Sequence, residues 1–237
     1  MLILGLDSSA VAGSCALCDI SGEQKTVIAT SFVNTKLTHS QTLMPMVEDM
    51  LKSSGVELKD IDLFAVNSGP GSFTGIRIGV AAVKGIAFAL NKPCVGVSTL
   101  HSLAYNLSGA SCIACAVMDA RCNQFYNALF EIKAEKINRL TPDRAISAVD
   151  LTTELTQYDD KKIILVGDGA ELAYKSINKE NITLAPLTVR LQRAENVCLA
   201  AIEYESVNAK KLLPAYLRLP QAERERLAKT NIMEEKQ

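Results

Sequence analysis

Three short segments hold residues whose types and spacing suit chemistry. The first, Asp7-Ser8-Ser9-Ala10-Val11-Ala12-Gly13-Ser14, groups a carboxylate, hydroxyls and a glycine in one turn after an apolar strand. Small residues there let backbone N–H groups approach a phosphate, and Asp7 at the strand end can order a magnesium-bound water. The same residues also make a plain hairpin in which Asp7, Ser8 and Ser9 cap the turn, and on the residues alone both readings stand. The second segment, Gly69-Pro70-Gly71-Ser72-Phe73-Thr74-Gly75-Ile76-Arg77, lies between a buried strand and a helix. N–H groups at a helix start favour an anion, but the lysine of a P-loop is missing. A tight strand-to-helix turn with Ser72 as N-cap accounts for it equally. The third, Gly167-Asp168-Gly169, is a short turn after an apolar strand and suits a nucleotide only in company with the other two.

The metal-ligating residue types are scattered. His39 and His101 are the two histidines, and neither has a second His, Cys or Glu at ligand spacing. Two CxxC pairs, Cys15/Cys18 and Cys112/Cys115, fall in apolar runs that read as strands. Residues three apart in a strand point to opposite faces, so each pair is expected to be two core thiols and not half of a zinc site. Cys122 sits in a hairpin turn, where it reads as a turn residue or a reactive thiol. No metal is expected.

The whole chain has 237 residues, 48% of them apolar, and a net charge of −1. That allows a sizeable core in one large domain or two lobes. The balanced charge gives no basic field to hold nucleic acid unaided. With no Trp and few aromatic residues, a single-strand stacking platform is not expected. Seven Cys without a secretory signal argue against disulfides. No apolar run approaches the ~20 residues that span a bilayer, and a cytoplasmic protein is expected.

The elements that must position these segments read in order as strands at 2–6, 15–20 and 26–32, a helix at 40–52, a strand at 63–67 and a long helix to Leu90. The order then repeats, with strands at 113–118 and 125–131, a weaker one at 133–139, a helix at 150–157, a strand at 163–166 and a helix from Ala170. A last long helix is expected at 194–208. Two copies of a βββαβα unit with a cleft between them give an α/β fold of the actin/hexokinase-like (ASKHA) kind. The expected division is an N-terminal lobe at 1–103, a smaller C-terminal lobe at 104–220 and a charged tail at 221–237.

The long helix is unusual in composition. Between Ile76 and Leu90 only Arg77 and Lys84 are charged, whereas a surface helix needs a polar face. Gly75 and Gly79, and Ala81, Gly85 and Ala89, fall four apart, a spacing that lets another helix approach closely. The preceding helix adds a Met-rich apolar band, a composition common on adaptable binding surfaces. The expected partner face therefore draws on His39, Leu43, Met46, Val47 and Met50 of the first helix. From the second it takes Phe73, Arg77, Val80, Ala81, Lys84, Gly85 and Phe88.

The run GPGSFTGIRIG, with LGLDSS near the start, closely resembles the TsaB/TsaD family. Agreement continues through GVSTL, Asp119-Ala120-Arg121, Gly167-Asp168-Gly169 and Pro214-Ala215-Tyr216-Leu217-Arg218, and so over most of the chain. The resemblance implies an actin-like fold and a part in transferring a threonylcarbamoyl group to the adenosine beside the anticodon of tRNA, work done by TsaD with TsaB and usually the ATPase TsaE. In TsaD two histidines separated by three residues hold the catalytic metal. The corresponding positions here are Thr99 and Leu103, which cannot replace imidazoles. The resemblance is thus to the shorter, non-catalytic branch, and the same loss argues against a metalloprotease. It implies that helices at about 39–52 and 73–90 meet the matching helices of TsaD or of a second copy, with ATP or ADP as a possible guest at that interface. It also implies that tRNA is reached only through the complex. The competing readings are a small-molecule kinase of the same fold, with Asp7 as base, and a bare nucleotide-binding module. For both, the degenerate site would be Asp7, Ser8, Ser9, Gly13, Gly167, Asp168 and Gly169.

Overall fold

Leu2–Asp7 (β1), Gly13–Ser21 (β2) and Gln24–Val33 (β3) form an antiparallel run. The structure is a computed structural model and describes residues 1–22, 24–177 and 179–218. After helix α1 (His39–Ser54), strand β4 (Leu63–Gly69) pairs parallel with β1. After α2 (Phe73–Leu90), β5 (Cys94–Ser98) pairs parallel with β4. The sheet order is β3-β2-β1-β4-β5. Helices cover both faces at β1 and β4, which is why these strands read as nearly continuous apolar runs.

The short helix α3 (Thr99–Tyr105) leads into the second sheet. Strands β6 (Ser111–Asp119), β7 (Gln124–Lys133) and β8 (Lys136–Arg139) are antiparallel, and β9 (Arg144–Ser147) pairs with the other half of β7. Helix α4 (Ala148–Glu154), strand β10 (Ile163–Val166), helix α5 (Ala170–Ser176), strand β11 (Ile182–Leu184) and the one-turn helix α6 (Leu187–Arg190) follow, both strands parallel to β6. The order β11-β10-β6-β7-β8 repeats that of the first sheet. This is the duplicated α/β architecture of the actin-like fold.

Four details depart from the sequence reading. Strands β5, β9 and β11 and helix α3 were not foreseen; at three to seven residues they are too short to show a period. The helix expected at 150–157 starts earlier, because Ser147 accepts a hydrogen bond from the Asp150 N–H and caps it. The helix expected at 194–208 is α7 (Ala194–Ala201). It stops because the next side chains are drawn into tertiary contacts, Glu203 to Tyr105 and Tyr204 to His101, and because Val207 then pairs with Cys94. The lobes are also not simple halves of the chain. Helix α7 packs on β1, β2, β4 and β5, and residues 207–216 return to the first lobe as well. The expected tail at 221–237 lies outside the described residues.

The cysteines of each CxxC pair face different cores. Cys15 packs with Leu43 and Met50, and Cys18 lies on the other face with Cys198. Cys112 and Cys115 are divided in the same way. Burial pushes the thiols of Cys15 and Cys115 up to about 12. Cys122 is exposed, in a turn at φ +52°.

Helix α2 is 18 residues long with mean hydropathy 1.6, so by length and composition it reaches what a membrane span needs, contrary to the sequence reading. It lies across the first sheet with Ile76, Val80, Val83 and Ala87 in the core. Ser72 caps its start by accepting from the Gly75 N–H, and Asn91 ends it in the left-handed conformation. The sequence reading assigns the side of this helix away from the core to a partner. In the single chain the face turned away from the sheet keeps Thr74, Arg77, Ala81, Gly85 and Phe88 exposed.

Candidate functional site: the interlobe loops and the face of α2

Asp7 ends β1 fully buried. Its Oδ1 accepts from the Ser9 N–H (2.7 Å) and the Ser9 hydroxyl (2.9 Å), and its Oδ2 from the Asn67 amide. Burial pushes its pKa up, while the bonds from Ser9 and Asn67 pull it back. The Ser8 hydroxyl donates to the Gly75 carbonyl (2.8 Å), and the Ser72 N–H donates to the Ser9 carbonyl (2.7 Å). The first two predicted segments are therefore brought together, bonded to each other. A Cβ on Gly75 would stand 2.0 Å from the Ser8 carbonyl oxygen, so glycine there serves the contact between loop and helix. The space left by Gly13 takes the ring of His39, whose Nε2–H donates to the Ala10 carbonyl (2.6 Å). His39 thus turns inward to the loop and not outward to a partner.

In the second lobe Gly167 has φ +116°, and a Cβ on it would stand 2.1 Å from the Val117 carbonyl oxygen. Gly169 packs against Met118 and Asp119. Asp168 accepts from the Gln192 amide (2.8 Å). Its surface is open to solvent, yet it sits deep between the lobes. That confinement pushes its pKa up from 3.8 to about 6; the Gln192 bond opposes the shift, and the nearby Asp119 and Asp7 charges add to it. A carboxyl raised in the folded state binds protons more tightly there than when unfolded, so stability falls as pH rises from about 4 to about 6. Asp168→Asn is expected to gain on wild type across that window. Urea midpoints at pH 4 and pH 7 check this, and a difference that does not widen with pH overturns the assignment.

A phosphate needs free N–H donors. Here those of Ser9, Ser72 and Gly75 are taken by the chain itself, and Asp7, Asp119 and Asp168 bring like charges toward one another across the lobes. Those three N–H groups are therefore not available to a phosphate, and the three carboxylates repel one.

The two positions at which the resemblance places imidazoles are filled differently. Thr99 is fully buried, and its hydroxyl has no partner among the described residues. Leu103 is fully buried in the second-lobe core and reaches the edge of Gly167. His101, between them, is turned elsewhere. Its ring stacks on Phe130 (5.5 Å, 7°), and its Nδ1 lies 2.9 Å from the Tyr204 hydroxyl. Burial lowers its pKa. No cluster of three His, Cys, Asp or Glu that could hold a metal occurs among the described residues.

The expected partner face needs correction. Leu43, Met46, Val47, Met50 and Val80 are buried in this chain's own core, because the Met-rich band of α1 packs on the first sheet and α2. The surface that remains outward is the stripe Arg77, Ala81, Gly85 and Phe88 of α2, and on α1 Met44 is exposed. Phe88 is 62% exposed, and nothing lies within 4 Å of a Cβ built on Gly85. Phe73, Arg77 and Lys84 are engaged by the returning chain. Phe73 stacks on Tyr216 (4.8 Å), Arg77 Nε–H donates to the Tyr216 hydroxyl (2.7 Å), and Lys84 Nζ donates to the carbonyls of Lys210 and Leu212 (both 3.2 Å). Sequence reasoning noted Tyr216 within PAYLR but gave it no role.

The comparisons with known proteins agree with this geometry. Residues 28–228 match the family model of TsaD, tRNA N6-adenosine threonylcarbamoyltransferase. The chain is 30% identical to the tRNA threonylcarbamoyladenosine biosynthesis protein TsaB of Bacillus subtilis, over 94% of this chain and 96% of that one. It is 31% identical to the protein of the same description from Escherichia coli, over 92% and 95%. The solved structure of YeaZ from Pseudomonas aeruginosa superposes with a TM-score of 0.75 at 28% identity, covering 91% of this chain and 99% of that one. A threonylcarbamoyltransferase of Chlamydia abortus, by contrast, is matched over 34% of its length. The fold, the altered residues at 99 and 103 and these full-length matches together make the chain a member of the TsaB/TsaD family, on its TsaB side.

Proposed function

We propose that this chain is a non-catalytic partner subunit in the formation of threonylcarbamoyladenosine on tRNA, and that it binds TsaD and holds it in an active state. The observation that carries the reading is the bare stripe of α2. A helix of this hydropathy with Ala81, Gly85 and Phe88 facing water leaves apolar surface that a second helix can cover. Thr99 and Leu103 support a subunit without chemistry of its own, since an apolar side chain and an unassisted hydroxyl make no metal centre. In this reading TsaE joins the complex, tRNA is held by the assembly, and the work is cytoplasmic. A homodimer through the same stripe is the state expected when TsaD is absent. A kinase needs a carboxylate base free to take a proton, and both oxygens of Asp7 are already engaged.

Sedimentation of this protein alone and mixed with the TsaD of the same organism tests the proposal. A one-to-one complex that replaces the free species is the expected result. No association at micromolar concentrations, with or without ATP and TsaE, overturns it.

A further inference from the structure

The chain from Ala209 to Tyr216 lies along α2 as a strap, between Val207, which pairs with Cys94 of β5, and Arg218, which donates to the Ala120 carbonyl of the second lobe. Near the C-terminal end of the helix, Lys210 Nζ sits over the Phe88 ring at 5.8 Å. At mid-helix, Lys84 holds the carbonyls of Lys210 and Leu212. At the N-terminal end the Ala215 N–H donates to the Ser68 carbonyl (2.8 Å), and Tyr216 covers Phe73 and bonds Arg77. The strap therefore runs antiparallel to the helix and borders the bare stripe on one side. Its own apolar side chains are left uncovered, with Leu213 67% exposed and Tyr216 and Leu217 partly so. It also brings charge. Arg77, Lys84, Lys210 and Lys211 line this border, and none of them is in an ion pair among the described residues.

We propose that the strap is the second half of the partner face. Leu213 and Tyr216 extend the apolar stripe of α2, and the basic border selects a partner helix that carries carboxylates along the flank facing the strap. The inference rests on the proposed function, with TsaD as occupant, and adds to it the element outside the two helices that reads the partner. The argument is continuity and charge. The stripe alone is one residue wide at Ala81 and Gly85. Strap and stripe together form one continuous surface with exposed apolar side chains from both, and charge of one sign along one edge.

The test measures the dissociation constant for TsaD of the same organism with full-length wild type, Leu213→Glu, Tyr216→Ala and the double variant Lys210→Glu/Lys211→Glu. Circular dichroism serves as a check on folding. Leu213 and the two lysine side chains are exposed, so these variants are expected to keep the fold even if Tyr216→Ala does not. Each is expected to weaken binding at least tenfold at 0.1 M salt. For the lysine variant the gap closes toward 0.5 M, as screening removes the lost attraction. If wild type binds and Leu213→Glu and the lysine variant bind within threefold of it, the strap has no part in recognition and only the α2 stripe survives. If wild type itself does not bind, the proposed function and the strap inference both fall.

Discussion

Alanine at Gly75 is expected to destabilise the protein by about 2–3 kcal/mol, whereas alanine at Gly85, ten residues along the same helix, stabilises it by about 0.5–1 kcal/mol. Helix propensity alone gives both substitutions the same favourable sign. The difference is in what the new methyl group meets. At Gly75 it stands 2.0 Å from the Ser8 carbonyl oxygen, a backbone atom that cannot rotate away, so α2 and the Asp7 loop must part. That movement also strains the bond from Ser8 Oγ to the Gly75 carbonyl and the one from the Ser72 N–H to the Ser9 carbonyl. At Gly85 the methyl group enters open space. Urea unfolding of the monomer, with unchanged m-values, decides the matter. Equal shifts at the two sites would mean that the loop and the helix are not in contact.

Leucine at Gly85 separates fold from assembly. The side chain has room in the free protein, so circular dichroism and the urea midpoint are expected to stay within experimental error or improve. In the complex it stands where a second helix must come close, and the dissociation constant for TsaD is expected to rise about a hundredfold, equivalent to about 2.7 kcal/mol. Titration by calorimetry or sedimentation measures it. Unchanged affinity with a normal fold would remove the α2 stripe from the interface.

The longer strands and the first two helices were legible because their patterns are local. β1 and β4 are apolar runs buried on both faces, and α2 announces its start through Ser72 and its end through Asn91. The interlobe loops were found, but their use was not. Glycines that can admit a phosphate can equally admit a neighbouring backbone, and only the contact between Gly75 and Ser8 tells the two apart. The Met-rich band of α1 was assigned to a partner when the chain's own sheet covers it, since periodicity shows that a face is apolar and not what it meets. The strap and the early end of α7 were missed for a related reason. Their conformation is set by contacts with residues far away in sequence, Tyr216 with Phe73 and Tyr204 with His101, and leaves no local period.

The position of α7 bears on how the molecule is made. The Cys198 thiol packs against the carbonyls of Ile3 and Ala16, 195 and 182 positions away along the chain. During synthesis the first sheet can pair as soon as β5 has emerged, but one face of it, with Ile3, Ala16, Val95 and Val97, waits for Ala194–Ala201. At roughly 5–20 residues per second the gap lasts on the order of 5–20 seconds. Through that interval the nascent chain carries a bare apolar sheet, a surface for chaperones to hold. Contacts that span so much of the polypeptide are the kind that slow folding, because loop-closure entropy is lost before they form.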